Sequence, residues 1–302
     1  MQDVETASLL AVLLFFIVVF FFSIERYLNS RYKFNYTPNT KKFKNEPLSF
    51  KNRFIIHLVC LIPIILGFLI PVLFIINNVI YEFSRIDFIK VFNLTTNTVI
   101  ISLIATLIIL VIAVYFQFLK RILKNRTITF FNEVISLTYA LPGAVIGLSL
   151  ILLFTSYPFE NELLIGSFGI LVYAYVIRYM AVGISPLKSS FDKHPSSYDD
   201  TAFNLGMGPT KLFRSIHLPI NKSAIAIAFL ITFVDIIKEL PITLILRPFN
   251  IDTLAVQTYE YAIEEMIPKS SIYSLAIVML GTILLIFLKK IVNKEIDVPK
   301  SK

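Results

Sequence analysis

"DDTAFNLGMGPTKLFRSIHLPI", residues 199–220, is a polar passage in a chain otherwise dominated by Ile, Leu, Val and Phe. An apolar run lies on each side of it, at about 163–183 and at about 223–244, and each approaches the roughly 20 residues that a helix needs to cross a hydrocarbon core of about 30 Å. Five more runs qualify, at about 7–24, 55–80, 94–119, 129–155 and 271–289. The 302 residues are 56% hydrophobic and 16% charged with mean hydropathy +0.76, more apolar than a soluble core of this length requires. The sequence predicts an all-α integral membrane protein with about seven transmembrane helices. Outer-membrane-type strands are short and alternating, a pattern that these unbroken runs do not show.

Charge placement sets the expected orientation, because Lys and Arg concentrate in cytoplasmic loops. Arg26, Arg31, Lys33, Lys41, Lys42, Lys44, Lys51 and Arg53 fill the first loop, and Lys120, Arg121, Lys124 and Arg126 follow the third run. Lys188, Lys193, Lys211, Arg214 and Lys222 surround the quoted passage, and Lys289, Lys290, Lys294, Lys300 and Lys302 close the chain. The alternate loops carry Glu82 and Asp87 balanced by Arg85 and Lys90, then Glu160 and Glu162, then Glu260, Glu264 and Glu265. The N-terminus is therefore expected outside and the C-terminus in the cytoplasm, in a multi-pass membrane protein. Orientation accounts for the net charge of +8 without a nucleic-acid partner. The first run has no basic segment ahead of it, but Asp3 and Glu5, and no small-residue cleavage site, which does not suit a signal peptide. The single cysteine, Cys60, lies inside an apolar run, so no intrachain disulfide or thiolate metal site is expected.

The polar, Asn- and Lys-rich stretch 28–52 separates the first run from six more closely spaced ones. This divides the chain into 1–52, an extra helix with a basic loop; 53–294, a six-helix unit containing the cytoplasmic segment 184–222; and 295–302, a tail. No internal repeat is apparent. Gly143 and Gly147 form a G-x-x-x-G in "LPGAVIGLSL", a spacing that lets helix backbones approach closely. Pro142, Pro219 and Pro241 mark boundaries or kinks.

Within the quoted passage and just before it, Ser197 and Asp200 have the spacing of a capping box, with Asp in place of the longer Glu. Gly206 can take the left-handed conformation that ends a helix, Gly208 gives a second turn, and Pro209 suits the first position of the next helix. The expected product is a helix, a glycine turn and a second helix reaching Leu218 and Pro219. A DNA-reading helix-turn-helix has this outline, but here it would be held beneath a membrane between two spans. The bland alternative is an amphipathic interfacial hairpin.

Asp200-Thr201-Ala202, three residues, Gly206, nine residues, then Ile216-x-Leu218-Pro219 resembles the "EAA" loop of membrane subunits of ATP-binding-cassette importers, E-A-A-x3-G-x9-I-x-L-P. Gly206, Ile216, Leu218 and Pro219 match without insertion. Asp200 stands for Glu and Thr201 for the first Ala, while Ala202 agrees. The resemblance implies a type I importer permease architecture in which this loop docks into a groove of an ATPase subunit and transmits its closure to the spans. A short rigid helix pair with a carboxylate offered to an arginine suits that work physically.

"FVDIIKELPITLILRPFNIDTLAVQTYEYA", residues 233–262, sets Asp235, Lys238 and Glu239 within about a turn of one another. Intramembrane charges cost on the order of 2.5 to 3.5 kcal/mol each, so they face partners or a watery path. Asp235 and Lys238 at i, i+3, and Asp235 and Glu239 at i, i+4, are expected on one helical face, either as a structural ion cluster or, with Arg247, as a substrate path or gate. This passage also resembles the corresponding stretch of ferric-iron importer permeases, and "YALPGAVIGLSLIL" extends the likeness. Those relatives are typically double-length chains, and this sequence is similar to their second half. That implies a separate first-half chain, a homodimer or a fragment, together with an ATPase subunit and an extracytoplasmic substrate-binding protein.

Iron(III) prefers oxygen donors, which Asp235, Glu239, Tyr259, Glu260 and Tyr261 offer. His57, His194 and His217 are scattered, and no resident metal or other cofactor is expected. No G-x-x-x-x-G-K-[ST] occurs, so nucleotide hydrolysis is assigned to a partner chain. No nucleophile, base and orienter come together, so no catalytic residues are expected. Two rivals remain: an importer permease for thiamine, sulfate, polyamine or another small solute, and an ion-coupled secondary transporter that uses Asp235 and Glu239 as a relay.

Overall fold

Where no water reaches the backbone, each apolar run must satisfy its own N–H and C=O groups, and helix is the form a single run can take. The computed structural model describes residues 49–123, 125–156 and 166–296, with isolated helical positions between 9 and 24. Most of the expected first span at 7–24, the loop from 28 to 48, Glu160, Glu162 and the end of the tail lie outside the described residues.

Eleven helical segments organise these residues: α1 (Phe50–Arg85), α2 (Phe88–Leu123), α3 (Arg126–Thr138), α4 (Gly143–Ser156), α5 (Phe168–Lys193), α6 (Ser197–Asn204), α7 (Pro209–Ile220), α8 (Lys222–Ile237), α9 (Pro241–Leu246), α10 (Leu254–Ile263) and α11 (Ile267–Ile296). Of these, α1, α2, α5 and α11 are each long and apolar enough to cross a bilayer; α3 with α4, and α7 with α8, meet the same test as bent pairs.

Two expected spans are corrected. The run at 129–155 is not one rod: α3 and α4 meet at 110°. Pro142 lacks a backbone N–H, and the chain turns through residues 139–142 before α4 restarts at Gly143. The run at 223–244 is also divided, because α8 stops at Ile237 and α9 begins afresh at Pro241. A continuous apolar stretch specifies burial in lipid; it does not specify a single axis.

The centre of the molecule is α5, which packs against α2, α3, α4, α8 and α9. Lipid is as apolar as leucine, so close fit rather than escape from water must hold such helices together. The core shows that economy of size: Ala105 and Ala113 of α2, Ala174 of α5 and Ala228 of α8 sit among Ile109, Leu171, Tyr175, Ile184 and Leu187. At Gly183 the contact is closest, since a Cβ there would lie 2.6 Å from Cγ2 of Ile109. The G-x-x-x-G of α4 serves the same end, because a Cβ on Gly147 would meet Ile245 of α9 at 3.1 Å. A buried amide pair, Gln117 Nε2 donating to Asn132 Oδ1 at 2.7 Å, fixes α3 to α2. By contrast, α1 leans on α11 mainly through its second half, and its most apolar stretch has no buried residue.

Candidate functional site

The elbow between α5 and α8 is built as its residues suggest, with one exception. Helix α6 starts at Ser197 after Ser196, whose side chain makes no cap hydrogen bond, so the capping box expected of Ser197 and Asp200 does not form. Asp199 and Asp200 still lie in its first turn, where carboxylates favour the helix dipole. The helix ends as the glycine requires. Gly206 has φ +75°, its N–H donates to Phe203 O at 2.9 Å, and Met207 N–H donates to Ala202 O at 3.0 Å. This is a Schellman closure, and Met207 packs beside Ala202 to complete it. Pro209 then opens α7, with Gly208 as its cap position.

The two faces of this elbow differ. Ala202, Leu212 and partly Ile216 pack inward on Phe118 of α2 and Phe191 of α5, and Leu218 reaches the main core. Asp200, Thr201, Gly206 and Pro219 face outward, together with Tyr198, Phe203 and Leu205, the last 73% exposed. The expected coupling residues therefore divide into a packed half and a presented half.

Sequence reasoning missed the inner polar joint. Asp199, the neighbour of the singled-out Asp200, is buried; its Oδ2 accepts from Arg121 Nε at 2.6 Å and its Oδ1 from His217 Nε2 at 2.8 Å. Arg121, at the end of α2, also donates to the carbonyls of Phe191, His194 and Pro195 at 2.6, 3.0 and 2.7 Å. It thereby satisfies acceptors that the end of α5 leaves open. Burial holds the His217 imidazole below its ordinary pKa and outweighs the pull of Asp199, and the Arg121 charge acts in the same direction as burial. Burial thus favours the neutral imidazole, whose Nε2–H donates to Asp199 Oδ1. His194 is lowered as well, by desolvation first and then by the charges of Arg121 and Lys193. One signal was available in the sequence: Asp199 lies three residues before Ala202, so on a helix it shares the packed face while Asp200 does not.

A second group lies at the paired breaks in the helices. Asp235 and Glu239 do not share a face as expected, because α8 ends between them. Asp235 pairs with Lys238 at 2.8 Å, and Tyr139 Oη donates to it at 3.5 Å. Beside it opens a cavity of about 470 Å³ lined by Ser136, Tyr139, Ser185, Lys188, Asp235 and apolar neighbours. Glu239 turns the other way. It faces Arg178 of α5 at 3.6 Å, accepts from Tyr179 Oη, and caps α9 through Ile242 N–H at 3.1 Å. Arg178 in turn donates to Leu141 O at 3.0 Å, at the break between α3 and α4. A Cβ on Gly143 would lie 2.7 Å from both Arg178 Nη1 and Glu239 Oε1. One buried ion pair thus serves both interruptions.

Arg247 is separate again. It pairs with Asp252 and, at 2.7 Å, with Glu260, closing a loop in which Asn250 has φ +72° and Phe249 is 97% exposed. Tyr261 stacks on Tyr273 and receives Lys90 Nζ at 3.4 Å. Of the oxygen groups offered for iron, Asp235, Glu239, Glu260 and Tyr261 are consequently engaged with different partners, Lys238, Arg178, Arg247 and Lys90. No cluster of three or more His, Cys, Asp or Glu side chains surrounds one point among the described residues.

Four single spans and two bent pairs, with a two-helix elbow lodged against the ends of α2 and α5, are the form of a membrane permease subunit. A family model described as "Binding-protein-dependent transport system inner membrane component" matches residues 126–298, and the chain belongs to that family. It is 26% identical over 204 residues to the Fe(3+)-transport system permease protein FbpB 2 of Haemophilus influenzae, a match covering 68% of this chain and 40% of that protein. It is also similar to the maltose/maltodextrin transport system permease protein MalG of Photorhabdus laumondii and of Escherichia coli K12, 31% and 32% identical over 94 residues, or 31% of each chain. The chain matches about two fifths or less of the length of these relatives. Members of the family are transport subunits and not themselves enzymes.

Proposed function

We propose that this permease subunit conducts ferric iron across the inner membrane, driven by an ATPase on a separate chain and supplied by an extracytoplasmic binding protein. The observation that carries the coupling part is the presented face of the elbow: Asp200 and Thr201 stand out beside exposed Tyr198, Phe203 and Leu205, on helices fixed from behind by Ala202, Leu212 and Ile216. That face suits a groove with an apolar floor and an arginine. Ile216, Leu218 and Pro219 set the angle at which α7 hands over to α8, and Gly206 sets the turn. In this reading the elbow lies in the cytoplasm, the loop of Arg247 lies outside, and Asp235 with Lys238 lines the path beside the cavity. Glu239 holds the two breaks as a gate element. A second permease half or a second copy of this chain supplies the opposite wall.

Iron is favoured by the longer match, 204 residues with FbpB 2 against 94 with MalG. The MalG likeness supports a second reading, an importer for another small solute. The test has two parts. Detergent pull-down of the native chain recovers an ATPase subunit, and charge reversal in Asp200→Lys loses most of that recovery and of uptake; undiminished uptake would sink the docking role. Uptake by proteoliposomes is then compared for labelled iron, thiamine, sulfate, polyamine and maltose, and accumulation of a solute other than iron replaces the substrate assignment.

A further inference from the structure

The joint behind the elbow is more extensive than docking requires. A single carboxylate, Asp199, faces two cationic or hydrogen-donating side chains on different elements: Arg121 on α2 and His217 on α7. Arg121 uses its remaining donors on three carbonyls at the end of α5 and just beyond it. The His217 ring stacks on Phe191 at 5.5 Å and 13°, and Phe118 lies against it at 5.4 Å. Side-chain exposures of 12%, 10% and 3% for Arg121, Asp199 and His217 keep water from competing. Charge-assisted bonds in such surroundings hold geometry more firmly than neutral ones.

On its far side the elbow is held differently. Asn221 joins α7 to α8 at a bend of 70°; its Nδ2 donates back to His217 O at 2.8 Å, while its buried Oδ1 has no partner among the described residues. The elbow is thus bolted by side chains to α2 and α5 and passes into α8 through the bend at Asn221.

Resting on the coupling reading above, we propose that Asp199 is the positioning residue of the elbow: through Arg121 and His217 it makes α6, α7 and the adjoining ends of α2 and α5 one rigid body, so that force on the presented face moves the ends of α2 and α5 together, and reaches α8 through the bend at Asn221 and through its packing on those two helices. Asp199 does not contact the ATPase in this assignment. Its neighbour Asp200 does, and the two adjacent acids have separate tasks.

The experiment uses the full chain in a Cys60→Ser background, with spin labels at Leu123→Cys on the end of α2 and Thr210→Cys on α7. The native joint gives one narrow distance distribution. Asp199→Ala broadens it at least twofold, and Asp200→Ala leaves it narrow. An Asp199→Ala distribution as narrow as the native one overturns the proposal. His217→Phe keeps the ring packing but removes the donor to Asp199, so it reads the same distance should Asp199→Ala fail to insert. In proteoliposomes with the ATPase, Asp199→Ala still co-purifies that subunit but moves at least tenfold less solute per ATP hydrolysed, and an unchanged ratio also overturns the proposal. Failure of the native chain to bind an ATPase would instead count against the coupling reading, and the label distances, which need no partner, would still decide the joint.

Discussion

At the scale of single residues, the molecule depends on contacts with no slack. Gly183→Ala would drive a methyl into Cγ2 of Ile109, now 2.6 Å from where it would stand. Overpacking of this kind costs about 1–3 kcal/mol. The expected result is a lower melting temperature in detergent, with partial recovery in Gly183→Ala/Ile109→Leu, where the offending γ2 methyl is gone. The Arg178–Glu239 pair gives a sharper test, because one buried charge left alone is worse than none. Arg178→Met should cost about 3–5 kcal/mol. Adding Glu239→Gln should restore much of this, since Gln still accepts from Ile242 N–H and no unpaired charge remains. Equal melting temperatures for the single and double variants would show that the charge is not what matters. Neither Arg178 nor Gly183 stood out in the sequence. An Arg in an apolar run shows that a partner is needed without naming it, and the closeness of Gly183 to Ile109 joins two residues 74 positions apart in the chain.

Among the elements, the elbow was the most legible, because its punctuation is local: Gly206 and Pro209 act on their own backbone whatever surrounds them. Gly206→Ala places a methyl in open space but in the left-handed region, at about 1–2 kcal/mol. Protease cleavage at 205–208 should rise accordingly, and less in Gly206→Asn, which tolerates that conformation better. What could not be read was direction. The bend of 110° between α3 and α4 and the early end of α8 arise where breaks meet a neighbour, Arg178, able to take up the freed carbonyl and hold the cap. The elbow should also respond to acid. Burial lowers the folded-state pKa of His217, so the unfolded segment binds the proton more readily. Stability from this group is complete above the ordinary imidazole value of about 6.5 and is lost as pH falls through the depressed folded value. Hydrogen exchange across 209–220 should therefore quicken, after correction for intrinsic rates, from pH 7 to pH 5, and His217→Phe should flatten that dependence.

For the molecule as a whole, the packing is lopsided. Leu171→Ala, in the fully enclosed centre, should cost about 2 kcal/mol or more. Leu58→Ala on α1, where the side chain is exposed, should change thermal stability by less than about 0.5 kcal/mol. A large loss for Leu58→Ala in detergent would mean that this stretch is covered in the purified assembly. The Arg121 joint has a further consequence, for counting. Because that side chain grips the end of α5, the last turns of α2 and α5 lie at one end of the bundle, which in the topology proposed above is one border of the bilayer. The jackknifed α3–α4 pair must then have carried the chain to the far border in between. Thr98 Oγ1, near the start of α2, receives Leu254 N–H at 2.9 Å, which puts the entry to α10 at that far border too. On that topology the four single helices and two bent pairs among the described residues from Phe50 onward make six traverses, an even tally. Epitopes inserted at 49 and after 291 should be reached by antibody from the same side of a sealed vesicle, whichever side that proves to be.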